Sequence, residues 1–535
     1  MGSSDISPAN KSTLAAYSNS LTSLVDPEGG HANTSLDYGG ASASTASLRS
    51  DEESETASIL LENSNAKFNP KCVFESDSWG KHAVAGMGDE ISNLLKNIVG
   101  SGGLSIPGGI AAFANAPSAI WPSIAVIWIM GIANAYSFSL LGRICAITKS
   151  HSYSMAWERT VGRRYGTKYQ LFVDVVVFGK AILGTWSFSI IIASTCTPLY
   201  RWLLENWAGM FDLGSDNSEP ESVSPASVLI MITTFLLLPM CLSQRLASLS
   251  VFSAIGTLGT LVTISTLILR YLDGSYLEGG KFYDDLSIHQ RPSFGSDRGA
   301  SAFLSFKSLT LISILSTGYI AHYNAPKYYY ELKDHTTGRF NIVVTFGFLF
   351  AAITYTIVSC MGFLTFGENS MGFVLDNYSY RDPLATVARF GVAVSVIFAY
   401  PLLFHGGRDG LVSLVNTVST STTNGSSFNN SNSTRIRDPT QMESNIVTVL
   451  LLSAVTALAI YVNDLTFVLS FSGATMSSLI IYIFPPFMFS SLVKNCCCFV
   501  SDETDREVRL GYAMMFIGGI LGIAGAYVSV ERAFF

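Results

Sequence analysis

The chain has 535 residues, 49% of them hydrophobic and only 13% charged, with a formal net charge of −7. Soluble domains carry about 25% charged residues, so this composition excludes an ordinary soluble globular protein, and no basic tract argues for nucleic acid. The length allows many membrane crossings, each needing about 20 apolar residues for roughly 30 Å of hydrocarbon.

Residues 1–89 are rich in Ser, Asn, Ala and acidic residues, including SLRSDEESETAS, and lack sustained apolar periodicity. They read as a disordered tail. The tail has no secretory signal, and MGSSDI fits the loose Gly2 myristoylation pattern as well as it fits an ordinary tail. ILLE at Ile59–Glu62 has the look of an acidic-dileucine sorting signal with imperfect spacing.

From Glu90 onward the hydropathy predicts an all-α membrane protein with about eleven transmembrane helices, the membrane domain covering 90–531. The spans fall near 90–114, 118–147, 170–203, 226–244, 249–272, 301–326, 340–366, 383–405, 444–462, 464–490 and 508–530. The Ser/Thr/Asn-rich stretch at 406–443 reads as a flexible cytoplasmic loop. Lys149, Arg159, Arg163, Arg164 and Lys168 form the densest basic cluster, and Lys327, Lys333, Arg339, Arg408, Arg435 and Arg437 fall on the same side of an eleven-span count. The positive-inside rule then places the N-terminus in the cytoplasm. On that topology the sequon at Asn377 lies outside and is usable, whereas those at Asn424, Asn429 and Asn432 are cytoplasmic and accidental. Cysteines give no disulfide framework. Cys145, Cys196, Cys241 and Cys360 fall in or beside apolar segments, and Cys496–Cys498 suit either palmitoylation or a plain interfacial loop.

The first span opens on NLLKNIVGSGGLSIPGG, from Asn93 to Gly109. Glycine costs about 1 kcal/mol in a helix interior and proline about 3. Irregular backbone at membrane depth is tolerated only where it is buried in protein or lines a cavity. GSGG at Gly100–Gly103 is therefore a candidate joint between two half-helices, whose freed amides suit a carboxylate and whose freed carbonyls suit a cation. A Gly-rich packing face is the alternative. Span six carries a second candidate break in LSTGYIAHYNAPKYYYELKD, with Ser316, Thr317, Gly318 and Tyr319 before Pro326. Five spans separate the two. Paired discontinuous helices at corresponding positions are the best sequence pointer to a transporter's central site, here with spans one to five and six to ten as inverted repeats.

Intramembrane charges are few. Asp174 and Arg389 suit snorkelling towards an interface, whereas Lys96 and Lys180 lie deeper. Apart from His405 at the very end of span eight, His322 is the one histidine inside a predicted span; it is either a titrating coupling group or a hydrogen-bonded helix-end residue.

NLLKNIVGSGGLSIP, HYNAPKYYYELKD, MGFLTFGE, ARFGVAVSVIFAYPLLF and LSFSGATMSSLIIYIFPP occur in the order of motifs found in the amino acid/auxin permease family of secondary transporters, which residues 90–530 resemble. The resemblance implies a leucine-transporter-like five-plus-five inverted repeat with one added helix. It also implies an amino acid substrate, with Val99, Gly100, Ser101, Gly102 and Gly103 binding its carboxylate through backbone amides. Ser316, Thr317, Gly318 and Tyr319 would face its ammonium and side chain. Sodium-driven relatives place a cation between span one and hydroxyls of span eight; Lys96 falls on the first-span position and Ser395 is the span-eight hydroxyl. The departures favour protons over sodium as coupling ion, with Lys96 supplying the charge.

No phosphate-binding Gly-Lys loop, nucleophile elbow or His-rich metal motif is present, so neither an enzyme nor a resident metal or cofactor is expected. A non-transporting amino acid sensor with the same fold is the principal rival. The substrate is expected to be a neutral amino acid, and the membrane is either the plasma membrane or a vacuolar or lysosomal one.

Overall fold

The computed structural model describes residues 85–162, 168–210, 223–243, 250–423, 441–495 and 502–535. The N-terminal tail to residue 84, the sequons at Asn424, Asn429 and Asn432, and Cys496–Cys498 lie outside the described residues. Helices dominate, and among the described residues no strands form, only two isolated bridges.

Helix α1 (Met87–Ile98) starts where the Asp89 carboxylate accepts the Gly86 N–H at 3.1 Å. Asp89 and Glu90 supply first-turn negative charge, which suits a helix N-terminus. The helix stops at Val99–Gly100, passes through a tight 3-10 turn at Ser101–Ser105, and resumes as α2 (Ile106–Ala111) with Pro107 in its first turn. Then follow α3 (Ile120–Thr148), α4 (Lys168–Met210), α5 (Pro225–Leu242) and α6 (Ser250–Leu272). Helix α7 (Leu309–Gly318) ends in the non-helical residues 319–321, and the chain continues through a short 3-10 turn into α8 (Ala325–Glu331). The remaining helices are α9 (Thr337–Phe366), α10 (Pro383–Thr423), α11 (Gln441–Tyr461), α12 (Leu465–Lys494, with two π turns) and α13 (Asp502–Phe534).

Eight of these helices are long and apolar enough to cross a membrane. The helices at the first and sixth predicted spans are broken, and the apolar part of α6 is shorter, at Leu258–Leu272. Span boundaries shift from those expected of composition. Residues 301–308 form short 3-10 turns before α7, and α10 runs on through Thr423. The stretch expected as a loop from 406 thus begins inside a helix.

Burial separates the helices by depth in the bundle. The apolar window of α12 is 67% buried against 22% for α13. Large apolar side chains such as Phe516, Ile523 and Phe235 stay exposed, as lipid-facing residues do. Backbone contact is closest where α6 crosses α10: a Cβ on Gly259 would lie 2.7 Å from the Gly391 carbonyl carbon, so only glycines permit that approach.

Two sequence expectations fail at the loop before α10. Asn377 is fully buried, its amide donating to the Asn369 carbonyl at 2.8 Å and its Oδ1 accepting from Met371 N–H, so it cannot serve as a glycan acceptor as folded. Arg389 does not snorkel. It is 2% exposed, and its two terminal nitrogens donate to the carbonyls of Leu375, Tyr378 and Ser379 while Nε has no partner among the described residues.

Candidate functional site

The two broken helices meet at one side chain. Tyr355, midway along α9, is fully buried, and its hydroxyl lies 2.8 Å from the carbonyl of Ile98 and 2.8 Å from that of Gly318. These are the last-turn carbonyls of α1 and α7, groups that a helix end leaves without intrahelical donors. A phenol has one proton to give, so the two carbonyls compete for it or share it. The ring also sets the spacing: a Cβ on Gly103 would fall 2.6 Å from Tyr355 Cε1. That close approach explains a glycine at this position of the turn.

Beside the clamp is a cavity of about 20 Å³, lined by Gly100 and Gly103 of the first break, Thr260 and Thr263 of α6, Tyr355 of α9 and Ser395 of α10. This is room for about one water rather than an amino acid. Val99 also lines it. The α6 threonines follow from GTLGTLVT at Gly256–Thr263, where hydroxyls three residues apart share a helix face. Their hydroxyls donate to the carbonyls of Gly256 and Gly259 and keep lone pairs free to accept. The hydroxyls share the lining with apolar side chains such as Leu104, Ile264, Val358, Val392 and Val396, and no lining residue carries a formal charge.

The other expected site residues divide into those at the breaks and those turned elsewhere. Gly102 sits in the 3-10 turn with open space where a Cβ would point, and the Ser101 backbone lies in the same turn. Ser316 donates to the Ile312 carbonyl at 3.0 Å and lies 3.4 Å from the Tyr482 hydroxyl. Thr317 donates to the Leu469 carbonyl of α12 at 2.7 Å. Tyr319 is fully buried with its hydroxyl on the Ile127 carbonyl of α3 at 3.0 Å, so its phenol faces a neighbouring helix rather than the first break. His322 is fully buried, with Nε2 3.2 Å from the Asn134 carbonyl. It is a hydrogen-bonded residue of the turn that follows the second break.

Of the two deep lysines, Lys180 is buried and donates from Nζ to Ser472 Oγ at 2.9 Å, tying α4 to α12. Lys96 is half-buried, one turn before the first break, and is not among the residues lining the cavity. Asp174 accepts from Ser154 Oγ at 2.9 Å. Sequence reasoning missed Tyr355, Thr260 and Thr263; a buried Tyr in the apolar run AAITYTIV, whose hydroxyl must find a partner, was the available signal.

Residues 84–530 match the family model described as transmembrane amino acid transporter protein. The chain belongs to this family. It is a multi-pass membrane protein and a transporter, not an enzyme. Among similar proteins, "Putative sodium-coupled neutral amino acid transporter 11" of Danio rerio is 23% identical over 449 residues, which is 84% of this chain and 87% of that one. "Vacuolar amino acid transporter 5" of Saccharomyces cerevisiae is 21% identical over 83% of this chain and 97% of its own length. "Amino acid transporter AVT6B" of Arabidopsis thaliana is 24% identical over 68% of this chain and 75% of its own. In this transporter regular helix pairing lapses at the breaks of α1–α2 and α7–α8, although the N–H groups of Val99, Gly100 and Gly103 still donate to the carbonyls of Leu95, Ile98 and Gly100, and the first break borders the small cavity.

Proposed function

We propose that this transporter moves neutral amino acids by alternating access, binding substrate between the two helix breaks. The observation that carries this is the Tyr355 clamp, which brings the carbonyl ends of α1 and α7 to one hydroxyl. The backbone amides of Val99–Gly103 take the carboxylate, and the α7 carbonyl end around Ser316–Gly318 takes the ammonium. Because the cavity as folded holds about 20 Å³, substrate entry requires the half-helices to separate. The pattern supports an eleven-span bundle in which spans one to five and six to ten are inverted repeats, with α13 added outside them. The small, uncharged lining of the cavity suits a neutral side chain, and the name of the Danio rerio relative, a putative neutral amino acid transporter, points the same way. The N-terminus is cytoplasmic on the positive-inside count.

For coupling we favour protons, with Lys96 supplying the positive charge one turn before the break. A second reading has an observation of its own: Thr260, Thr263 and Ser395 place three hydroxyls around the cavity at Val99–Gly100, and oxygen donors of this kind suit a sodium ion. The test is uptake of a labelled neutral amino acid into proteoliposomes under an imposed proton or sodium gradient, for the parent and Lys96→Ala. Proton-driven accumulation lost in Lys96→Ala supports the lysine. Sodium-driven accumulation lost in Ser395→Ala, with Lys96→Ala active, assigns the hydroxyl cavity to sodium. Binding without accumulation under either gradient points to a sensor.

A further inference from the structure

A second and larger cavity, of about 280 Å³, lies where α2 ends, α7 begins and α13 ends, at the far end of the bundle from the start of α1. Ala112, Lys307, Thr310, Val528, Glu531, Arg532 and Phe535 line it. Thr310 is 1% exposed, and its hydroxyl has no hydrogen-bond partner among the described residues. A buried polar group left unpaired costs about 1–3 kcal/mol, so this hydroxyl marks the place of a missing polar partner. It stands in the first turn of the ten-residue α7, at the positive end of the helix dipole, which favours an anion. Lys307 and Arg532 add two cations. Neither has a carboxylate within 4.0 Å among the described residues, Asp464 acting on Arg532 only at longer range. Glu531 brings one carboxylate to the same cavity.

Two cations, an orphan hydroxyl and a helix N-terminus suit a phosphate or similar oxyanion. A carboxylate on the same wall suits an ammonium carried by the same ligand. The rim names the source. Leu304 is 90% exposed, Phe306 79% and Phe535 100%. Large apolar side chains clustered beside a charged cavity at a helix end are what a bilayer interface covers. A primary ammonium gives Glu531 N–H donors. A trimethylammonium gives none, and is recognised instead by aromatic cages; Phe535 is the single ring among these lining residues and does not make a cage.

We propose that this cavity binds the headgroup of an aminophospholipid, its phosphate held by Lys307, Arg532 and the Thr310 hydroxyl, and its primary ammonium by Glu531. The bound headgroup bridges α2, the half-helix after the first break, and α7, the half-helix before the second, to α13. Occupancy therefore resists their separation, and the transporter's opening depends on membrane composition.

The test uses the full chain in nanodiscs of phosphatidylcholine alone, or of phosphatidylcholine with phosphatidylethanolamine or phosphatidylglycerol, followed by native mass spectrometry of retained lipid. Phosphatidylethanolamine is retained over phosphatidylcholine by the parent, and about tenfold less by the Lys307→Ala/Arg532→Ala double variant. Glu531→Gln erases the preference for phosphatidylethanolamine over phosphatidylglycerol. Thr310→Val weakens retention yet raises the melting temperature of the delipidated protein, because it removes an unpaired hydroxyl without changing shape; a purely structural threonine would not give both. Equal retention of all three lipids, or retention unchanged in the double variant, overturns the proposal. So does binding of free alanine that the double variant loses while no lipid is preferred.

Discussion

Replacing Tyr355 by phenylalanine keeps the ring against Gly103 and deletes only the hydroxyl that touches the Ile98 and Gly318 carbonyls. One buried hydrogen bond is worth about 0.5–1.5 kcal/mol net, and a carbonyl left unpaired costs about 1–3 kcal/mol. Because one phenolic proton serves two acceptors, the loss is that of one good bond rather than two, about 2 kcal/mol in all. Both carbonyls belong to the ends of broken helices, so the cost falls on the relative placement of the breaks. If substrate binding needs that placement, apparent affinity drops about 30-fold, since each 1.4 kcal/mol is a factor of ten. Uptake kinetics in proteoliposomes read this as a raised KM, and thermal unfolding in detergent reads the accompanying stability loss. Tyr400→Phe is the control: it also removes a buried hydroxyl, one that lies 3.2 Å from Ser189 Oγ on α4, far from either break in sequence. Parent-like KM in Tyr355→Phe, or an equal rise in Tyr400→Phe, would refute the clamp.

Gly103→Ala puts a methyl 2.6 Å from the Tyr355 ring; overpacking of this kind costs about 1–3 kcal/mol. Uptake is expected to fall at least as far as in Tyr355→Phe, and combining Gly103→Ala with a smaller residue at 355 should restore part of the stability but not the uptake. Arg389→Ala strips three loop carbonyls of their donor, and its melting temperature in detergent should fall well below that of the exposed-site control Arg381→Ala. Between α9 and α10, burial pushes the half-buried Asp376 carboxyl up to about 6, against the opposing Arg389 charge and a hydrogen bond with Ser194. The folded chain thus binds this proton more tightly than the unfolded chain does, and stability falls as pH rises from about 4 to about 6, by up to about 3 kcal/mol. Asp376→Asn should flatten that segment of the unfolding-versus-pH curve, and an unchanged slope would show that the carboxyl does not titrate there.

The two breaks were legible because Gly100–Gly103 and Gly318–Pro326 violate helix propensity inside apolar runs, and local chemistry of that kind is written in the sequence. The long helices followed equally from hydropathy. What was not legible depended on contacts between distant segments. Nothing local in AAITYTIV says that Tyr355 reaches both breaks, Ile98 lying 257 residues away along the chain and Gly318 only 37. Nor does NYS reveal that Asn377 is tied inward by three loop contacts. Tyr319 was read as a site residue from its neighbours in sequence, yet a residue just past a helix end can turn its side chain to either flank, and the Ile127 carbonyl captured it. Lys180 read as deep from its place within the third predicted span, but its partner Ser472 lies 292 residues away and could not be read locally.

The most direct measurement is time-resolved accumulation of a mixture of labelled neutral amino acids in proteoliposomes holding the parent chain or Gly103→Ala, with proton and sodium gradients imposed in turn. Accumulation above the external concentration by the parent under one gradient, lost in Gly103→Ala while the variant remains folded, is the predicted result. Parent-level accumulation by Gly103→Ala, or none by the parent under either gradient, would contradict transport through a site built on the two helix breaks.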